Sequence, residues 1–356
     1  MVHVCEIVGG EICAQPCTSS SKEIKQDAGH ANNTKQSRPG YREIVSDLLH
    51  PHIRTRSSEL AQSFAAASPF RHVVMDEFLK PPIIDMLIAE FPSFDPGKAV
   101  NELGKVGLKA VVSRMAGIGP AYKAFDGLIR DKSFLQLVGE ISGIPRLAYD
   151  PDYEGGGTHE NLDGQELDVH VDFNFHPARR LHRRLNLILF LNREWREEWG
   201  GCLELHKDPW NPGEDSVCKI APLANRAVLF ETTERSWHGF SRIALPANRS
   251  HLSRKSVAVY YYTTERPAAE TVRSHATVYV PRPLPERLQA GHTLRDEDVQ
   301  ELQVLWERRN AQLRFLYDRE LEFSEAIGNI GNSLSFRLGR ILTWPVRALM
   351  RNKTRG

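Results

Sequence analysis

Between residues 145 and 265 the chain reads as a succession of short apolar runs: LDVHVDF at 167–173, LNLILFL at 185–191, CLEL at 202–205, AVLF at 227–230 and SVAVYYYT at 256–263. Each run is β-branched or aromatic and is bounded by Gly, Pro, Asn or Asp. Many short strands punctuated in this way predict a sandwich or barrel.

The text on either side is different. Residues 18–40 are polar, poor in apolar side chains, and end in Pro39-Gly40. Such a segment buries too little surface to offset its ordering entropy, so residues 1–40 are expected to be a disordered tail. From Tyr41 to Ala67 the apolar spacing (Ile44, Leu48, Leu49, then Leu60, Phe64, Ala65) is helical. A short strand at His72–Met75 follows, then a helix opened by Pro81-Pro82 and running to about Phe91, where proline costs nothing because the first helical N–H groups lack partners anyway. A further helical region spans roughly Ala121 to Ile141. Beyond Pro281, Leu302, Leu305, Leu313, Leu316 and Tyr317 among Glu and Arg describe one long amphipathic helix. The expected organisation is therefore a tail (1–40), a helical support region (41–145), a β core (146–266) and a C-terminal helical extension (267–356). The fold class is α+β with a mainly β core. No repeat with a period of 20–50 residues is visible.

Composition narrows the function. The chain has 356 residues, 41% hydrophobic and 26% charged, with 46 basic against 45 acidic residues and a formal net charge of +1. Near-neutrality argues against whole-protein attraction to nucleic acid, and none is expected as a partner. No run of about 18 apolar residues predicts a membrane span. The five cysteines (Cys5, Cys13, Cys17, Cys202, Cys218) form no matched Cys-x-x-Cys pairs, which weighs against a disulfide framework or a structural zinc site. With no basic-then-apolar leader, a cytoplasmic location is expected.

The chemistry gathers in the β-rich stretch. In His170-Val171-Asp172, residues i and i+2 of a strand share a face, so an imidazole and a carboxylate can converge. Adding one distant His makes a two-His-one-carboxylate triad that leaves positions open on Fe(II). With 14 histidines a chance match is expected, and His206-Lys207-Asp208 is a second one, but it reads as a strand end entering a polar turn. The third ligand candidate is His238, far downstream, which only a fold joining distant strands, such as a jelly roll, could bring back. A single His in such a place is otherwise a loop or hydrogen-bonded core residue. Arg254 and Ser256 then share one face of the next strand. An inward Arg is costly unless it meets an anion, and a guanidinium with a hydroxyl makes a forked carboxylate receptor. The competing reading is an exposed strand start held by a surface ion pair.

From about Arg71 to Thr264 the chain resembles the iron(II)/2-oxoglutarate-dependent oxygenases, in their prolyl-hydroxylase-like branch. The matching text is His170-Val171-Asp172-Phe173-Asn174, residues 184–192 (RLNLILFLN), residues 199–205 (WGGCLEL), Val228-Leu229-Phe230, Trp237-His238-Gly239 and Arg254-Lys255-Ser256. The resemblance implies a double-stranded β-helix (jelly roll). It implies that His170, Asp172 and His238 bind iron, that Arg254 pairs with the distal carboxylate of 2-oxoglutarate, and that Ser256 supports it. It further implies oxidative decarboxylation with dioxygen to succinate and carbon dioxide, coupled to oxidation of a C–H bond, with ascorbate as a candidate reductant. A peptidyl-proline or a small metabolite is the implied substrate class. Many members of this branch carry a Tyr where Leu189 and Phe190 stand, ahead of Leu191-Asn192. His159, after Gly155-Gly156-Gly157, is the candidate replacement donor, against the alternative of a mobile-loop histidine. Asn174 and His176 are expected at the pocket mouth in contact with substrate, or else as turn formers ahead of Pro177. Gly200-Gly201 reads as a bulge, and Tyr260-Tyr261-Tyr262 as packing. The rivals are a non-catalytic metal-binding jelly roll acting as sensor or scaffold, and a cupin-type metalloenzyme that uses no 2-oxo acid.

After Glu325 the chain holds no acidic residue, while Arg337, Arg340, Arg347, Arg351, Lys353 and Arg355 alternate with apolar ones, Pro345 interrupting them. A weak contact with an anionic membrane surface or a partner is expected of this tail. Co-sedimentation with anionic vesicles, compared between the full chain and a tail-deleted one, tests this: loss of binding on deletion supports it, and equal, negligible binding removes it.

Overall fold

Proline and small polar caps place the helices of the N-terminal half. The computed structural model describes residues 48–98, 110–112 and 114–344, so the expectations for 1–40 and for the segment after Trp344 lie outside the described residues. Helices α1 (Pro51–Thr55) and α2 (Ser57–Ala66) precede strand β1 (His72–Met75), and α3 (Pro81–Ala89) opens on its two prolines. The helical region expected over 121–141 is two helices, α4 (Pro120–Ile129) and α5 (Lys132–Ser142). They part at Asp131, whose carboxylate accepts from Ser133 N at 2.8 Å and Phe134 N at 3.4 Å, the bonds of an N-cap.

Ten further strands alternate with loops: β2 (Ala110–Val112), β3 (Ala148–Tyr149), β4 (Gly157–Asn161), β5 (Leu167–Val171), β6 (His182–Phe190), β7 (Leu203–His206), β8 (Val217–Ile220), β9 (Ala227–Glu231), β10 (Trp237–Phe240) and β11 (Arg254–Thr263). A last one, β12 (Val278–Tyr279), precedes the long helix α6 (Asp296–Asn332) and the short α7 (Leu334–Leu342). They form two antiparallel sheets. The larger has the order β1-β9-β6-β11-β4-β2 with β3 beside β11; the smaller has the order β12-β5-β10-β7-β8. This is the double-stranded β-helix, and non-consecutive neighbours in both sheets bring distant segments together.

The central strands read as continuous apolar runs because both of their faces are buried. Leu185, Leu187 and Leu189 of β6, Leu229 of β9, and Val257, Val259 and Tyr261 of β11 pack outward against α1–α5 in one large core. Phe190, Val228 and Phe230 turn the other way, against Leu203, Leu205 and Ile220 of the smaller sheet. The period of two thus divides each run between helix layer and sheet interior. The sheets also recruit strands from outside 146–266. β1 pairs with β9 and β2 with β4, while β12 extends the smaller sheet beyond β5. The β core is therefore not a contiguous segment: the N-terminal region and the C-terminal extension each supply sheet edges.

No described helix is long and apolar enough to cross a membrane. The N-terminal half of α6 is held to β5 by polar pairs, Arg308 donating to Glu166 at 2.7 Å and to Asp168 at 3.2 Å.

Gly200-Gly201 is the tight passage expected of it. Gly200 has φ +67°, and a Cβ there would lie 2.0 Å from the carbonyl oxygen of Arg242. Any side chain must both adopt a left-handed conformation and displace backbone. Gly200→Ala is expected to destabilise the fold by about 2–3 kcal/mol, in the range of strained backbone positions, read from the midpoint of denaturant unfolding.

Candidate active site

The cavity between the sheets is assembled by strand register. His238 on β10 stands directly opposite His170 on β5, and Asp172 follows immediately after β5. The His170 and His238 ring centroids are 4.4 Å apart. Asp172 Oδ1 lies 3.6 Å from His170 Nε2, and Oδ2 lies 3.4 Å from His238 Nε2. One ligand atom from each of the three residues falls within 4.8 Å of the others, a spacing that a single metal ion can bridge. Both imidazoles are oriented by the backbone: His170 Nδ1 meets the carbonyl of Asp168 at 2.8 Å, and His238 Nδ1 meets that of Ser236 at 2.9 Å. A carbonyl only accepts, so the proton sits on Nδ1 and the Nε2 lone pair faces the cavity. Burial, and next the neighbouring His170, push His238 down to about 4, which keeps it in the neutral form that ligates metal. For Asp172, burial works against ionisation, but Arg183 and then the two histidines outweigh it. They hold the carboxyl well below the usual carboxylate range.

Two residues that orient Asp172 were not anticipated. Arg183 Nη2 donates to Asp172 Oδ2 at 2.9 Å, Asn186 Nδ2 donates to the same oxygen at 2.8 Å, and Arg183 also bonds Asn186 Oδ1. With Oδ2 so engaged, Oδ1 is the oxygen left for a cation. Simple alternation would put residues 183 and 186 on opposite faces. The pairing of β6 with β11 slips between Leu185↔Tyr261 and Arg183↔Tyr262, and this bulge at Arg184 turns both inward. Arg183 is also stacked over Tyr260, its guanidinium carbon 3.5 Å from the ring centroid. Tyr260 therefore lines the cavity instead of only packing. Tyr279, from a segment expected to be helical, lies with its ring centroid 5.1 Å from that of His170. No sequence pattern marked it, because β12 is two residues long.

On the neighbouring wall β11 presents Arg254 and Ser256 inward, as their shared parity requires. Ser256 stands beside His159 of β4 in register, and all three line the same cavity, of about 250 Å³, as the His-Asp-His group. His159 is thus a buried strand residue and not part of a mobile loop. Arg254 is 4% exposed. Its Nε donates to the carbonyl of Gly201 at 2.6 Å, and its guanidinium lies between Phe190 and Phe240, 5.1 and 4.3 Å from their centroids. Among the described residues no carboxylate pairs with it, and burial lowers it to about 10. A larger groove of about 770 Å³ runs along α6, but it contains none of the His-Asp-His group. Buried convergent donors, not size, identify the smaller cavity as the site.

Two expectations are corrected. His176 does not stand at the pocket mouth. It is 2% exposed, its Nε2 is 3.2 Å from Asp150 Oδ1, and its Nδ1 accepts from Ala178 N and Arg179 N, as a turn-forming residue does. Asn174 likewise lies outside the cavity lining. Its amide bonds the carbonyl of Arg273 at 2.9 Å and the N–H of His275 at 3.0 Å, tying down the segment that leads to β12. Both satisfy backbone groups away from the cavity lining. The second His-x-Asp, at His206, binds Asp215 at 2.6 Å and stays apart from the cavity.

Residues 157–262 match the 2OG-Fe(II) oxygenase superfamily. The donor set described above, two imidazole nitrogens and one carboxylate oxygen beside a guanidinium with no carboxylate partner among the described residues, fits the Fe(II) and dicarboxylate that the matched family's description implies. Similar solved structures include a prolyl hydroxylase from Trichoplax adhaerens in complex with a hypoxia inducible factor oxygen degradation domain peptide fragment (15% identity, 59% of this chain and 90% of that chain, TM-score 0.41). Others are a Pseudomonas putida prolyl-4-hydroxylase (14%, 62% and 98%, 0.39) and HygX from Streptomyces hygroscopicus with nickel and 2-oxoglutarate bound (11%, 62% and 95%, 0.39). No curated protein is significantly similar to this chain.

Replacing Asn186 by Leu removes one of the two donors that orient Asp172 without altering charge. The expected outcome is a fall in Fe(II) or Mn(II) affinity on the order of 10- to 100-fold, measured by metal titration, with the far-ultraviolet circular dichroism unchanged.

Proposed function

We propose that this protein is an Fe(II)- and 2-oxoglutarate-dependent dioxygenase that hydroxylates, or otherwise oxidises, a C–H bond of an organic substrate. The observation that carries this reading is Arg254. A guanidinium buried among aromatic rings without a counter-charge is strongly unfavourable, and a small diacid whose other end reaches the His-Asp-His group would relieve it. Neither a metal-binding scaffold nor a cupin-type enzyme without a 2-oxo acid requires such a group.

Each residue then has a task. His170 Nε2, His238 Nε2 and Asp172 Oδ1 would hold Fe(II). Arg254 and Ser256 take the distal carboxylate of 2-oxoglutarate, with His159 beside Ser256 as an additional polar contact. Phe190 and Phe240 keep water from the guanidinium, which strengthens the pairing. Arg183 and Asn186 keep the Asp172 carboxylate ionised and fixed. Iron, 2-oxoglutarate and dioxygen supply the oxidising chemistry, yielding succinate, carbon dioxide and the oxidised substrate. The organic substrate enters past Phe173 and Tyr279, which line both the cavity and an adjoining apolar groove of about 650 Å³. That groove suits a peptidyl segment, such as one bearing proline, or a comparably sized metabolite.

Succinate release from 2-oxoglutarate, with iron and ascorbate present, tests the proposal. The wild-type chain is expected to turn over, and Arg254→Ala to raise the apparent KM for 2-oxoglutarate on the order of 100-fold, as loss of one partner of a buried charge pair does. 2-Oxoglutarate should raise the Tm of the wild type and not of the variant. Tight iron binding with no succinate release and no Tm response would overturn the proposal in favour of a scaffold.

A further inference from the structure

Helix α6 carries a surface that the oxygenase cavity does not use. From Val299 to Ile330 a stripe of side chains recurs in alternating steps of three and four residues, the heptad spacing of a coiled-coil seam. The stripe is apolar except at Arg309 and Glu320. The helix is held to the core through Arg308, which bonds Glu166 and Asp168, with Ala311 and Phe315 on the same side. The stripe borders that contact, Val299, Leu302 and Trp306 edging the groove beside Pro281 and Leu284, and Leu316 the groove beside Phe173. Roughly a quarter turn away, the stripe lies open to solvent, with Trp306 65%, Leu316 62% and Ile327 69% exposed. Neither Arg309 nor Glu320 has an ion-pair partner among the described residues.

The stripe is symmetric about the midpoint between Arg314 and Phe315. A second copy of α6 laid antiparallel across that midpoint sets Val299 against Ile330, Leu302 against Ile327, Trp306 against Phe323 and Leu313 against Leu316. It also sets Arg309 against the opposite chain's Glu320, and does so twice, once on each side of the axis. Every apolar residue meets an apolar one and every charge meets its opposite. A parallel pairing fails this, because it stacks Arg309 on Arg309 and Glu320 on Glu320 within an apolar seam. An anionic lipid surface is disfavoured too, since acidic residues outnumber basic ones along Asp296–Asn332.

We propose that the chain forms a two-fold homodimer through α6, as an antiparallel two-stranded coiled coil locked in register by two Arg309–Glu320 pairs. The interface is isologous, with one surface serving both subunits. The helix runs for 37 residues, and the stripe is sustained over more than four heptads, enough for a stable coil.

Sedimentation equilibrium or light scattering of the full chain should return twice the 40.3 kDa subunit mass. Arg309→Glu alone sets Glu against Glu320 and Glu320→Arg alone sets Arg against Arg309, so each should weaken dimerisation on the order of 10-fold or more. The double variant Arg309→Glu/Glu320→Arg restores opposite charges and should restore the dimer. That recovery separates a broken contact from a broken fold, and an unchanged Tm of the oxygenase core in the single variants checks the same point. A monomer at all concentrations overturns the proposal, as does a dimer insensitive to either single reversal. Failure of the double variant to recover, or association of a monomeric chain with anionic vesicles through α6, overturns it equally. None of these readouts depends on oxygenase activity.

Discussion

The pairing of β10 with β5 is the contact on which the site depends. It sets His238 opposite His170, two residues from far apart in the chain, at a ring separation of 4.4 Å. A slip by one residue would send His238 to the other face and dissolve the triad, because side chains alternate along a strand. Gly239 permits the approach: a Cβ there would lie 2.7 Å from the carbonyl oxygen of Leu167. The backbone carbonyls of Asp168 and Ser236, each two residues before its histidine, then orient the rings. The same strand pairing therefore provides both the ligands and the groups that aim them.

Around this pair the cavity is electrically uneven. Arg183 is paired with a carboxylate, Asp172 opposite it, with Asn186 beside it and two aromatic rings, Phe173 and Tyr260, against its faces. Arg254 is likewise buried between two rings, Phe190 and Phe240, but bonds a backbone carbonyl and pairs with no carboxylate among the described residues. One guanidinium stabilises a carboxylate that belongs to the protein; in the proposed function the other receives a carboxylate that does not. Burying an unmatched cation lowers stability, and its retention makes sense where a ligand completes it.

The segment after β11 joins the oxygenase to the rest of the chain. It is tied down by Asn174, adds β12 beside His170, and places Arg282 and Arg308 on the Glu166–Asp168 pair at the start of β5. The helix that follows is thus anchored by polar contacts on one side, while much of its apolar stripe, Trp306, Leu316 and Ile327 among it, stays exposed. The extension supplies a wall of the site through Tyr279 and a self-complementary surface through the stripe.

Much was legible in the linear text. The short apolar runs announce the strands, Pro81-Pro82 and Pro120 open helices, and the parity of Arg254 with Ser256 and of His170 with Asp172 places each pair on one face. Those features are local, set by a period of two, by missing N–H groups and by fixed φ, and they survive any tertiary arrangement. What lay beyond the text was decided by distant contacts. The bulge at Arg184 reverses the face of Arg183, and a two-residue strand carries Tyr279 to the cavity. His176 and Asn174, plausible pocket residues by their nearness to Asp172, are drawn off to satisfy backbone groups at Ala178, Arg273 and His275. Which donors exist, and on which strand face they begin, was determined by the sequence itself. Which of them meet one ion was decided only by the folded chain, because register, bulges and hydrogen-bond competition arise between segments and leave no local trace.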